Sequence, residues 1–213
     1  MKKIKETPKL KSFSNRIMKN NLNSWYSIAT KDEIRNGLEW YDEAQSFTRV
    51  LSMKYSVDAY TVATVISCLS PNNKWQRNKV DAEATVGAFT SGKFTKEEYL
   101  KLVKCCTYKA NRVKAWQALE TGEGIHSTSP KTHAFAMNVG FLSSEHCTVD
   151  KWMLRAFQSK AHDAIDANLQ TSCTIKQYQN LERITNEVAK TKSLKAYELQ
   201  AIVWLTIKRV WER

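Results

Sequence analysis

The stretch that decides the fold is YKANRVKAWQALETGEGIHSTSPKTHAFAMNVGFLSSEHCTVDKWMLRAF, residues 108–157. Ala110, Val113, Ala115, Trp116 and Leu119 recur at helical spacing, and Gly122 with Gly124 ends that helix. IHSTSPKTH (125–133) is a polar turn, and HAFAMNVGFL follows as a short apolar helix ending at Gly140. Thr148-Val149-Asp150 then leads into KWMLRAFQSKA, another helix. The pattern is helix, polar turn, helix, short loop, aspartate, helix.

Helical periodicity extends on both sides. A helix is predicted over about 33–54, from Leu38, Tyr41, Phe47, Val50 and Leu51. Asp58 reads as the N-cap of DAYTVATVISCLS, which is apolar on most sides and so belongs at the centre of a helical domain. Ser70-Pro71-Asn72-Asn73 breaks the pattern, and a helix over about 74–90 follows. Thr95 and Glu98 form a capping-box signature ahead of the short helix YLKLVKCC. Segments 174–192 and 196–212 close the chain. In the last, Leu199, Ile202, Val203, Ile207, Val210 and Trp211 share a face. No strand alternation stands out. With only 6 Gly and 3 Pro in 213 residues, the tight turns of a sheet-rich fold have little to be built from. The expectation is an all-α fold of nine or so helices.

Charge narrows the partners. The 33 Lys and Arg outnumber the 21 Asp and Glu, for a net charge of +12. A protein this basic points to a polyanion, with nucleic acid ahead of an anionic membrane, because no basic amphipathic helix stands apart from the fold. No apolar run reaches 18 residues, so no membrane partner is expected. The first 20 residues carry seven basic side chains and one acidic one, and residues 1–25 read as a basic arm. No apolar segment of a secretory signal occurs there. The five cysteines are odd in number, include the adjacent Cys105 and Cys106, and form no C-x-x-C. Together these predict an intracellular protein. His126, His133, His146 and His162 show no metal-ligand spacing, so neither metal nor other cofactor is expected.

Two places carry chemistry. The turn sets Ser127, Thr128, Ser129, Lys131 and Thr132 at a helix start, whose outward N–H groups suit a DNA phosphate, with Lys131 and Lys109 adding charge. Lys104, Lys109, Arg112 and Lys114 form a basic face beside it or an ordinary solvated helix surface. Asp150 stands where a loop becomes a helix; it is a site carboxylate, a helix cap, or both.

Three segments, in order, resemble the helix-hairpin-helix DNA glycosylases, the superfamily that includes endonuclease III. VISCLSPNN (65–73) is similar to the family's leucine-serine-x-glutamine segment, whose polar tip enters the DNA stack. YKANRVKAW with SPKTHAFAMNV is similar to its hairpin, and TVDKWMLRAF (148–157) to its valine-aspartate-threonine-histidine-x-x-arginine signature. Lys131 and Asp150 are 19 residues apart, close to the family's spacing from hairpin lysine to catalytic aspartate. The pattern departs in places. Ser127-Thr128-Ser129-Pro130 replaces the hairpin's Gly-x-Gly, an asparagine replaces the inserting glutamine, Lys151-Trp152 replaces Thr-His, and the iron–sulfur cysteines of some members are missing.

The resemblance implies a two-lobed helical domain over 26–213, with a central lobe about 58–150 and a second lobe from 26–57 and 151–213. Asp150 and the hairpin would face a common trough. It implies a monomer that binds double-stranded DNA, flips a modified or mismatched base and cleaves its N-glycosidic bond with Asp150. Lys131 is a Schiff-base nucleophile giving lyase activity, or only a phosphate contact. Asn72 and Asn73 would fill the gap left by the base, or cap the turn. Arg77, Lys151 and Arg155 would contact DNA, Arg155 alternatively pairing with Asp150. The alternative is a DNA-binding protein on the same fold without catalysis, acting as a recruiting or blocking factor.

Overall fold

A computed structural model describes residues 9–124, 129–141, 143, 145–163 and 168–212. Among them are ten α-helices, a short 3-10 turn at Leu10–Ser12, and no strand. The helices are α1 (Asn15–Ser27), α2 (Lys31–Tyr55), α3 (Ala59–Leu69), α4 (Trp75–Thr90), α5 (Lys96–Leu102), α6 (Lys109–Thr121), α7 (Pro130–Phe141), α8 (Lys151–Gln158), α9 (Ile175–Lys190) and α10 (Ala196–Trp211). The all-α expectation holds. The chain divides into two compact units, Met1–Tyr41 with Ser144–Arg213, and Asp42–Ser143. The division falls within α2.

In the unit of Asp42–Ser143, α3 packs against α4, α6 and α7. Asp58 caps it, its side chain accepting from Tyr60 N and Thr61 N, and every residue from Thr61 to Leu69 is buried. This is the all-round burial its composition requires. Ser67 Oγ donates to the Thr132 carbonyl at 2.6 Å, and the Gly140 position leaves no slack, since a Cβ there would stand 3.1 Å from Ala63 Cβ. Pro130 opens α7, a position where a missing N–H costs nothing. Tyr99 stacks on Trp116 at 4.7 Å beneath α5 and α6.

The capping box at Thr95 and Glu98 is present, but α5 stops at Leu102 rather than running through Cys106. Val103 is extended, and its carbonyl, with that of Tyr99, accepts from the Arg112 guanidinium. A side chain from α6 thus takes carbonyls that end the helix.

The other unit is built from α1, the start of α2, α8, α9 and α10. The basic segment read as an arm contains α1, with Met18, Leu22 and Trp25 buried. Charged and polar neighbours conceal this spacing of four and three in the sequence. Two polar contacts secure α1: Asn21 Nδ2 donates to the Phe157 carbonyl at 2.8 Å, and Trp25 Nε1 to the Ser159 carbonyl at 2.7 Å. Residues 1–8 lie outside the described residues.

Gly37 of α2 lies against α10, where a Cβ would stand 2.8 Å from both Cα and N of Ile202. Gly37→Ala is therefore expected to destabilise the protein by about 1–3 kcal/mol through overpacking. This outweighs the gain of about 1 kcal/mol from better helix propensity. A denaturant midpoint that rises in the variant would refute the constraint.

Candidate functional site

Asp150 is half-buried at the start of α8 and caps it. Its Oδ1 accepts from Trp152 N at 2.9 Å and Met153 N at 3.0 Å. Its Oδ2 accepts from Trp204 Nε1, on α10, at 3.0 Å. Both readings of this residue are thus compatible: it caps a helix, and its carboxylate is held in a fixed orientation from two sides. The backbone before it is pinned as well. Tyr178 hydroxyl accepts from Val149 N at 3.1 Å and donates to the Cys147 carbonyl at 2.8 Å. Tyr41 hydroxyl donates to Gln200 at 2.7 Å, and Thr148 Oγ1 lies 3.1 Å from it. Burial pushes the Tyr41 phenol far above its ordinary range, so it stays neutral beside the carboxylate.

Aromatic and cationic groups alternate around this point. The Arg155 guanidinium lies 4.7 Å from the Trp152 ring centre and 4.5 Å from that of Trp211. Lys151 Nζ is 5.3 Å from the Trp152 ring, and Lys208 Nζ is 4.3 Å from the Trp204 ring. Such spacing gives cation–π attraction of about 0.5–1 kcal/mol per exposed contact. Arg155 therefore stacks on indoles, and no ion pair joins it to Asp150 among the described residues. Trp204, 54 residues beyond Asp150, escaped the sequence reading, because no local spacing couples the two.

In the other unit, Lys131 and Lys109 are exposed near the starts of α7 and α6, and Ser129 and Thr132 are half-buried. Ser127 and Thr128 lie outside the described residues. Asn72 is exposed with a left-handed backbone (φ 58°), and its Nδ2 donates to Tyr108 hydroxyl at 2.7 Å. Tyr108 is 63% exposed and precedes α6. This Asn72–Tyr108 pair is a tip the sequence reading missed on its tyrosine side. An exposed aromatic two residues after a cysteine pair carried no distinctive pattern.

Asn73, Arg77 and Arg112 are tied into the fold, Arg77 while remaining exposed. Asn73 Nδ2 donates to Asp81 Oδ2 at 2.9 Å and to the Leu69 carbonyl at 3.3 Å. Arg77 Nε donates to Asp81 Oδ1 at 2.7 Å and its Nη2 to the Lys104 carbonyl at 3.1 Å. Cys106 N completes the set, donating to Asp81 Oδ2 at 2.7 Å. Asp81 is 0% exposed, so these hydrogen bonds replace its lost hydration. Thr107 Oγ1 also donates to the Pro71 carbonyl at 3.1 Å. Asn73 and Arg77 thus shape the 70–74 turn behind Asn72, and Arg112 braces the end of α5. Asn73, Arg77 and Arg112 each make these contacts within the fold.

No group of three His, Cys, Asp or Glu among the described residues is placed to hold a metal ion. Among those residues, too, no helix is long and apolar enough to cross a membrane.

Residues 4–210 match the family described as "Family of unknown function (DUF7178)", and the chain belongs to it. No curated protein matches the chain. No solved structure matches it either.

Proposed function

We propose that this protein is a helix-hairpin-helix DNA glycosylase, binding double-stranded DNA and excising a base with Asp150. The observation that supports this most is the Asp150 carboxylate itself. The residue is half-buried, its carboxylate is oriented by Trp152 N, Met153 N and Trp204 Nε1, and indoles paired with cations stand on the same helices, α8 and α10. Breaking the C1′–N bond of a nucleotide leaves positive charge on the sugar. A fixed carboxylate stabilises that charge and takes the proton of the water whose oxygen bonds to C1′, while the base departs with the bonding electron pair. The indole faces give a flipped-out nucleotide surfaces to stack on, and Lys151 and Lys208 give its phosphates a cationic border.

The second unit supplies grip. Exposed Lys109 and Lys131 contact backbone phosphates, and the Asn72–Tyr108 tip, held from behind by Asp81, enters the stack. Asn72 and Tyr108 belong to two of the segments that carry the resemblance, and the charge of +12 suits the partner.

The test is a duplex series with single damaged or mismatched bases. Binding is expected to weaken steeply with salt, by tenfold or more between about 50 and 200 mM, since each phosphate contact releases counterion. Base release is expected from at least one duplex. Binding that ignores salt removes the DNA reading. Binding without release from any duplex leaves the non-catalytic DNA-binding protein. Borohydride trapping separates the roles of Lys131: a covalent adduct that vanishes in Lys131→Ala marks the lyase route, and no adduct leaves water as the nucleophile.

A further inference from the structure

A cavity of about 350 Å³ opens in the unit of Asp42–Ser143, between α3, α6 and the start of α7. Its lining includes Thr64 and Cys68, both buried, with Ser129 and Thr132 from the first turn of α7. Exposed Lys114 and Glu123 stand on its rim. That volume lies within the usual range of small-ligand sites, about 300–1,000 Å³, and is more than an inorganic ion fills.

Three features suit it to a polar ligand with an anionic end. α7 is twelve residues long. Its first intrahelical bond runs from His133 N to the Ser129 carbonyl, so the N–H groups of Lys131 and Thr132 have no partner within the helix. These carry the positive end of the helix dipole. Lys114 has no carboxylate partner among the described residues, and it lies near enough to Cys68 to oppose the rise that burial imposes on that thiol, to about 11. Independently, Thr64 is 1% exposed and its Oγ1 has no hydrogen-bond partner among the described residues. A buried hydroxyl left unpaired beside a cavity costs about 1–3 kcal/mol, and a bound acceptor would remove that cost.

We infer that this cavity binds a phosphomonoester, with the phosphate at the start of α7 beside Lys114 and the rest of the molecule reaching toward Thr64. The N–H groups at the start of α7 and the Ser129 hydroxyl donate to phosphate oxygens, and the Lys114 ammonium balances the charge. Glu123 accepts from a hydroxyl on the body of the ligand. A free mononucleotide-sized molecule and the 5′-phosphorylated end of a DNA strand present the same chemistry. The site shares the start of α7 with the DNA reading but does not depend on Asp150.

The experiment is calorimetric titration and thermal melting of the full chain in phosphate-free buffer. The titrants are inorganic phosphate, a deoxynucleoside 5′-monophosphate, and a short duplex with and without 5′-phosphates. The monophosphate is expected to bind and to raise the melting temperature, as any ligand of the native state does. Lys114→Ala should weaken it about tenfold through loss of a charge-assisted contact. Thr64→Val should weaken it several-fold, yet leave the unliganded protein as stable as before or more so, because an unpaired hydroxyl has gone. If only 5′-phosphorylated duplex responds to both substitutions, the site stands and its ligand is a strand end. The inference falls if no phosphate compound binds at about 10 mM. It also falls if affinity is unchanged in both variants, or if Thr64→Val destabilises the free protein while leaving affinity intact. Binding of unphosphorylated duplex, followed in parallel, reports on the DNA reading separately.

Discussion

Asp150→Asn is expected to reduce base release by about 10²–10³-fold, the loss typical when one preorganised electrostatic group is removed from a reaction centre. Duplex affinity should change little. The substitution keeps size and shape but removes the charge that the proposed mechanism sets against the sugar. It also leaves a donor conflict, because whichever oxygen the amide keeps can serve either the α8 backbone or Trp204, not both. If the amide oxygen stays on the backbone side, the cap survives and the Trp204 N–H loses its acceptor. The stability loss should then be about 1 kcal/mol, the scale of a cap or one neutral hydrogen bond. Melting curves and single-turnover base release, measured on the same preparation, separate the two effects. Unchanged release would leave Asp150 as a helix cap alone, and the catalytic proposal would end there.

Asp81→Ala carries the largest expected stability effect in the other unit, about 3 kcal/mol or more. Its carboxylate is fully buried and accepts from Asn73, Arg77 and Cys106 N. Removing it takes the acceptor from the Cys106 N–H and leaves the Asn73 amide only the Leu69 carbonyl, at up to about 1–3 kcal/mol each. Arg77 is half-exposed and recovers hydration, so its share is small. The turn at 70–74 and the segment at 104–107 should loosen together, because one carboxylate joins them. Denaturant midpoints give the total, and hydrogen exchange at the two segments shows whether they open as one. A loss under about 1 kcal/mol would mean that the network is replaceable by water.

What could be read from the sequence was what is local. Asp58 and Thr95 cap helices because the cap and its N–H partners lie within three residues. α3 announced its central position by being apolar all round. Helices α6 and α7 and the start of α8 followed from short-range spacing. α1 escaped because three buried residues sit among lysines, arginine and asparagines, and only a partner surface distinguishes them from a solvated tail. The intramolecular contacts of the arginines escaped for the same reason. Arg112 meets backbone carbonyls of Tyr99 and Val103, groups that every residue possesses, so no side-chain pattern marks them. Arg77 had a readable partner, Asp81 four residues on, but an exposed surface ion pair and a buried anchor look alike as letters. The Trp204 contact to Asp150 needs α10 packed beside α8, which is a fact of tertiary structure.

Three of the chain's seven tryptophans, Trp152, Trp204 and Trp211, lie about Asp150, one of them bonded to its carboxylate and two flanking Arg155. The protein therefore carries its own optical sensor. A nucleobase settling against those rings would change their ultraviolet emission without any attached dye, and stopped-flow recording of that signal would time the arrival of the base apart from the chemical step.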